Sequence, residues 1–149
     1  MNSLRIEKAY REWSHDIGPD DNPVDAGLAF TCDFSKPAGF IGRESVLRAR
    51  EAGVPKRRLV QFLLADPEPL VYHNEPILLD DERVGYVTSG MYGHTLGAAV
   101  AMGYVESPDG VTPEFVASAP FEIQLPDHRV RAKGSLAPLY DPKNARPRA

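Results

Sequence analysis

Glycine spacing near the middle of the chain sets the strongest limit on its fold. The stretch Thr88-Ser89-Gly90-Met91-Tyr92-Gly93-His94-Thr95-Leu96-Gly97 leads into Ala98-Ala99-Val100-Ala101-Met102-Gly103-Tyr104-Val105. Gly90, Gly93, Gly97 and Gly103 fall among residues that otherwise favour strands. Glycine at this density disfavours a helix and marks turns, bends or close backbone approach. The stretch also lies between two β-type runs, so antiparallel sheet is the expected setting.

The flanking segments repeat that signal. Leu59-Val60-Gln61-Phe62-Leu63-Leu64 reads as a strand. Pro76–Leu79 and Arg83–Thr88 flank Asp80-Asp81-Glu82 and read as a hairpin. Phe121, Ile123 and Leu125 alternate with Glu122 and Gln124, the mark of a half-buried strand. Pro126-Asp127-His128 turns it, and Arg129–Lys133 returns with charge outward. Short strands separated by turns predict a small antiparallel barrel or sandwich.

The N-terminal third has a different texture. Ile6, Tyr10, Trp13 and Ile17 recur at helical spacing, which predicts a helix over 4–17, capped by Asn2 or Ser3 and stopped at Gly18-Pro19. Leu28-Ala29-Phe30 is expected as a short buried strand. A second helix is expected from about Gly42 to Ala52, with Gly53 as its C-cap and Glu44 and Arg48 as a supporting pair. The change at Pro55 from helical to two-residue periodicity predicts a boundary there. The tail from Asp141 is polar, contains proline and is expected to be mobile.

Charge and composition narrow the function. A net charge of −4 gives no general attraction to nucleic acid or acidic membranes. No apolar run is long enough to span a bilayer, and the first residues carry no apolar signal core. With Cys32 alone no internal disulfide forms, which is compatible with a reducing cytoplasm, the compartment expected here. His15, His73, His94 and His128 are scattered without metal-ligand spacing. Neither a Gly-x-Gly-x-x-Gly nor a Walker-type loop occurs, so neither a flavin nor a nucleotide site is expected.

Four blocks in order carry a family resemblance. They are Leu4-Arg5-Ile6-Glu7-Lys8-Ala9-Tyr10-Arg11-Glu12-Trp13, Asn22-Pro23-Val24-Asp25-Ala26-Gly27-Leu28, Phe40-Ile41-Gly42-Arg43-Glu44-Ser45-Val46-Leu47, and the glycine-rich stretch. Together they resemble the C-terminal region of the glycine cleavage T-protein (aminomethyltransferase) family. Arg57-Arg58-Leu59-Val60 and Pro138-Leu139-Tyr140-Asp141-Pro142 look closer to its dimethylglycine and sarcosine dehydrogenase branch.

That resemblance implies an α+β, mainly β chain in three parts. Residues 1–55 would be the truncated end of a folate-binding lobe. Residues 56–140 would form a C-terminal antiparallel β-barrel, jelly-roll-like, and 141–149 a polar tail. The implied chemistry is transfer of a carbon from an aminomethyl or iminium group to a nitrogen of tetrahydrofolate, giving methylenetetrahydrofolate. The implied partner is the N-terminal folate-binding lobe or another copy of the chain. The family's catalytic aspartate belongs to that lobe, so no catalytic residue is expected here.

Arg5, Glu7 and Tyr140 are the cofactor-binding candidates implied by the match. A guanidinium suits a carboxylate because its planar fork donates two parallel hydrogen bonds. Arg5 reads equally as one half of a structural ion pair, Glu7 as a structural partner, and Tyr140 as a cover for a barrel edge. Tyr10 and Trp13 read as core. A non-catalytic barrel that docks on another chain, or completes its site, is the alternative function.

Overall fold

The computed structural model describes residues 2–148. Six strands make one closed antiparallel barrel: β1 (Arg57–Leu64), β2 (Pro76–Leu79), β3 (Glu82–Gly93), β4 (Ala98–Glu106), β5 (Glu122–Gln124) and β6 (Arg129–Ser135). The order around the barrel is β1-β4-β3-β2-β5-β6, with β6 returning to β1. Closure leaves no long unpaired edge, so even a strand as short as β5 has a neighbour on both sides. Of the two architectures the sequence allows, the barrel is the one formed.

The hairpin at 80–81 follows from its turn chemistry. Asp80 and Asp81 both take positive φ, 50° and 67°, which aspartate tolerates and which matches the twist of two paired strands. Inside the barrel Val60, Phe62, Ile77, Ala101, Val105, Ile123 and Val130 form one core. Phe62 and Phe121 meet edge to face, ring centres 5.4 Å apart.

β4 is buried on both faces, which explains its near-continuous apolar run. Ala99, Ala101 and Val105 face inward. Val100, Met102 and Tyr104 face outward and are covered by Ile6 and Ala9. Ile6 belongs to α1 (Asn2–Glu7) and is 1% exposed. Burying it stabilises this docking by about 1.5–3 kcal/mol.

Several local expectations are corrected. The helix predicted over 4–17 ends at Glu7. Ala9 takes φ 53°, which no helix continues through, and the buried side-chain amide of Gln61 caps the helix end by donating to the carbonyls of Ile6 and Glu7. Tyr10 and Trp13 are therefore exposed, not core. Residues 29–31 form an open turn of 3-10 helix, with Phe30 exposed, where a buried strand was expected.

α2 (Arg43–Glu51) forms as predicted, but Glu44 pairs with Arg43, while Arg48 donates to Ser45. An unforeseen helix, α3 (Pro113–Ser118), is started by the Thr112 hydroxyl accepting from the amide of Phe115. The start of the tail is tied down at two positions. Lys8 Nζ donates to the Asp141 carbonyl at 2.9 Å and to Asn144 Oδ1.

Candidate functional site

Arg5 stands at the centre of the most connected polar cluster. Its Nη1 donates to Asp16 Oδ2 at 2.6 Å and to the Tyr10 carbonyl at 2.9 Å. Its Nη2 donates to Ser89 Oγ at 3.1 Å and lies 3.0 Å from Glu12 Oε2. Asp16 is fully buried, and its carboxylate also accepts from the Thr88 hydroxyl and the Glu12 amide. The Arg5 Nε is buried with no hydrogen-bond partner among the described residues.

The barrel aims these groups through an irregularity. Val87 pairs with Gly103 and Ser89 with Met102, so Thr88 is the extra residue of a β-bulge. A bulge breaks the ladder and re-aims side chains. Here it turns Thr88 towards Asp16, while Ser89 reaches Arg5. The same strand passes close to the chain at Val71. A Cβ built on Gly90 would stand 2.6 Å from the Val71 carbonyl carbon, so close approach fixes glycine at this position.

Arg5, Glu12, His15, Tyr72, His73 and Ser89 border an open cleft of about 190 Å³. Its lining mixes polar and apolar residues, and the charge of Arg5 is balanced there by Glu12 and by the buried Asp16 beneath. Among the described residues no group of three or more His, Cys, Asp or Glu is placed to hold a metal ion, and no helix is long and apolar enough to cross a membrane.

The three candidate residues are not brought to one place. Glu7 lies at the end of α1 and is buried; its Oε1 accepts from the amides of Thr95 at 2.6 Å and Leu96 at 3.0 Å. It thereby holds the turn between β3 and β4. Tyr140 lies on the tail, its ring beside Lys8 and Arg146, and its amide donates to the Glu7 carbonyl at 3.3 Å. Neither borders the Arg5 cleft.

Sequence reasoning passed over Asp16, Thr88 and Gln61. Gln61 ties α1 to the tail, since its Oε1 accepts from the Leu139 amide at 2.8 Å. An apparently polar residue between strand residues Val60 and Phe62 was its one available signal.

Comparison with known proteins identifies this architecture. Residues 57–141, more than half of the chain, match the family described as "Glycine cleavage T-protein C-terminal barrel domain". A 4-methylaminobutanoate oxidase (formaldehyde-forming) from Paenarthrobacter nicotinovorans is 42% identical over 98% of this chain, which covers 17% of that protein. The mitochondrial sarcosine dehydrogenase of Homo sapiens is 38% identical over 98% of this chain and 16% of its own length. The chain thus spans about one sixth of these relatives. The fold matches the crystal structure of glycine cleavage system aminomethyltransferase T from Bartonella henselae with TM-score 0.77 and 24% identity, over 94% of this chain and 38% of the other. The chain belongs to the glycine cleavage T-protein C-terminal barrel domain family.

Proposed function

We propose that this chain is the C-terminal part of a tetrahydrofolate-dependent one-carbon transfer module that acts in the cytoplasm. The observation that carries the reading is Arg5, set in an open cleft with a buried Nε that donates to nothing among the described residues. A guanidinium at the wall of an open cleft suits an oxygen-bearing ligand. The cleft is below the about 300–1,000 Å³ of an enclosing ligand pocket, so the chain supplies one wall and the remaining module the rest. Similarity over nearly the whole chain to proteins named for oxidation of N-methyl amines supports a methylamine-derived carbon source.

In this reading Arg5 binds and orients the folate, while Asp16 and the bulge at Thr88 keep its guanidinium in place. Glu7 acts through the β3–β4 turn that it holds, and Tyr140 closes the tail side of α1. Tetrahydrofolate, when bound, supplies the nitrogen that accepts the carbon. The catalytic acid comes from the partner lobe. The test is Arg5→Ala in the complete module. A lost charge-assisted hydrogen bond is worth about 1.5–3 kcal/mol, so tetrahydrofolate should bind roughly 10- to 150-fold more weakly. Equal affinity with a lower melting temperature would assign Arg5 to structure alone.

A second reading rests on the exposed rings of Tyr10, Trp13 and Phe30, 55%, 64% and 83% exposed. It makes the chain a non-catalytic module that docks on another polypeptide. A complete module that binds no folate, yet still assembles, would favour it.

A further inference from the structure

The last strand carries three cations on its outer face. Arg129, Arg131 and Lys133 alternate along β6 with the buried Val130 and Ala132. The first of the three is engaged. Arg129 pairs with Asp81, lies 3.8 Å from Glu122 Oε2, and donates from Nε to Gln124 Oε1 at 3.0 Å. Arg131 and Lys133 make no ion pair among the described residues. Glu122 stands opposite Arg131 in register, yet its carboxylate lies within 4 Å of Arg129 and not of Arg131.

These two unpaired cations line one groove. On one side β6 pairs with β1, where Leu63 stands opposite Lys133. On the other side α3 seats closely: a Cβ built on Gly134 would stand 2.9 Å from Val116 Cγ1 and 3.2 Å from Phe121 Cε2. Between β6, the end of β1 and the end of α3 lies a groove of about 420 Å³. Leu63, Ala119, Pro120 and Phe121 make its apolar wall, and no acid lines it. That is a local departure in a chain whose net charge is −4. The volume falls within the about 300–1,000 Å³ of small-molecule sites. The groove shares no lining residue with the Arg5 cleft.

We propose that this groove binds a small free carboxylic acid with an apolar tail. Residues two apart on one strand face sit about 7 Å apart along the backbone, so the long side chains of Arg131 and Lys133 reach a single anion. The planar fork of Arg131 matches both carboxylate oxygens, and Lys133 adds a point charge. The tail lies against Leu63, Pro120 and Phe121, where each methylene it buries tightens binding about fourfold. The proposal is independent of the folate reading, because it uses none of the residues placed there.

The experiment titrates the 149-residue chain at neutral pH and follows the backbone amide resonances of Leu63, Ala119 and Lys133. Hexanoate carries head and tail, acetate the head alone, and hexan-1-ol the tail without charge. Saturable shifts with hexanoate are expected, with acetate and hexan-1-ol each at least about tenfold weaker. Arg131→Gln and Lys133→Gln, both at exposed positions, should each weaken hexanoate about tenfold. Arg129→Gln, which removes an equal charge from the same strand outside the groove, should leave it unchanged. Ala117→Leu, which fills the groove from the exposed side of α3, should abolish the shifts while the chain stays folded. Shifts that do not saturate, acetate or hexan-1-ol binding as tightly as hexanoate, or undiminished binding in either glutamine variant at the groove would overturn it.

Discussion

Removing the buried carboxylate of Asp16 tests how the Arg5 cluster is held. Asp16→Ala deletes an acceptor that serves Arg5 at 2.6 Å, the Thr88 hydroxyl and the Glu12 amide at 2.9 Å. The Asp16 side chain is 0% exposed and Arg5 16%, so the pair is close to fully desolvated. Breaking a buried pair from one side costs about 3–5 kcal/mol, because the remaining charge is stranded. Here Arg5 keeps Glu12 and the Tyr10 carbonyl, and Thr88 keeps the Met102 carbonyl. The expected loss is therefore nearer about 2–3 kcal/mol. Urea unfolding reads it directly. With a slope of about 1–3 kcal/mol per molar, the midpoint should fall by about 1 M at unchanged slope. Replacing both partners, Arg5→Met with Asp16→Leu, should recover most of the stability, since no charge is then stranded. A loss below about 0.5 kcal/mol for Asp16→Ala would put the pair in the class of exposed surface pairs and refute the reasoning.

Other outcomes follow from the same geometry. Gly90→Ala forces a Cβ against the Val71 backbone and should cost at least about 1–3 kcal/mol in thermal unfolding, with no gain from the added side chain. Phe62→Ala opens the barrel core beside Phe121 and should cost about 3–5 kcal/mol by the same measurement. Tyr104 gives a pH effect. Burial, then the nearby Asp21 charge, raises its hydroxyl above the ordinary value of 10.0, so the folded chain keeps a proton that the unfolded chain releases. Stability is intact below pH 10.0 and falls as pH rises beyond it. Tyr104→Phe should flatten that alkaline loss and be close to neutral at pH 7, because the buried hydroxyl has no hydrogen-bond partner among the described residues.

The barrel was legible because its signals are local. The Asp80-Asp81 turn, the alternation at Phe121, Ile123 and Leu125, and the glycines of 90–103 each depend on neighbours within a few residues. The N-terminal segment was not legible for the opposite reason. Ile6 alone needs a partner, and it finds one 94 residues or more along the chain, on β4. Beyond Glu7 the spacing of Tyr10, Trp13 and Ile17 imitates a helix, while Gln61 and Asp16 claim the backbone that would continue it. Thr112 followed by Pro113 was a readable helix start, since proline suits the first turn and threonine the cap. Arg5 was found through its motif, whereas the bulge that brings Thr88 and Ser89 to its cluster depends on register between β3 and β4. The outward charge of Arg131 and Lys133 was legible from alternation, whereas the groove beside them depends on how α3 seats against β6, and no spacing rule reports it.

The functional account is tested most directly by assaying the purified 149-residue chain for methylenetetrahydrofolate formation. Sarcosine, dimethylglycine and a glycine-derived aminomethyl donor are each supplied with tetrahydrofolate. The account makes this chain one wall of a site whose catalytic acid lies elsewhere, and predicts no turnover above background with any donor. Clear turnover by the chain alone would contradict it.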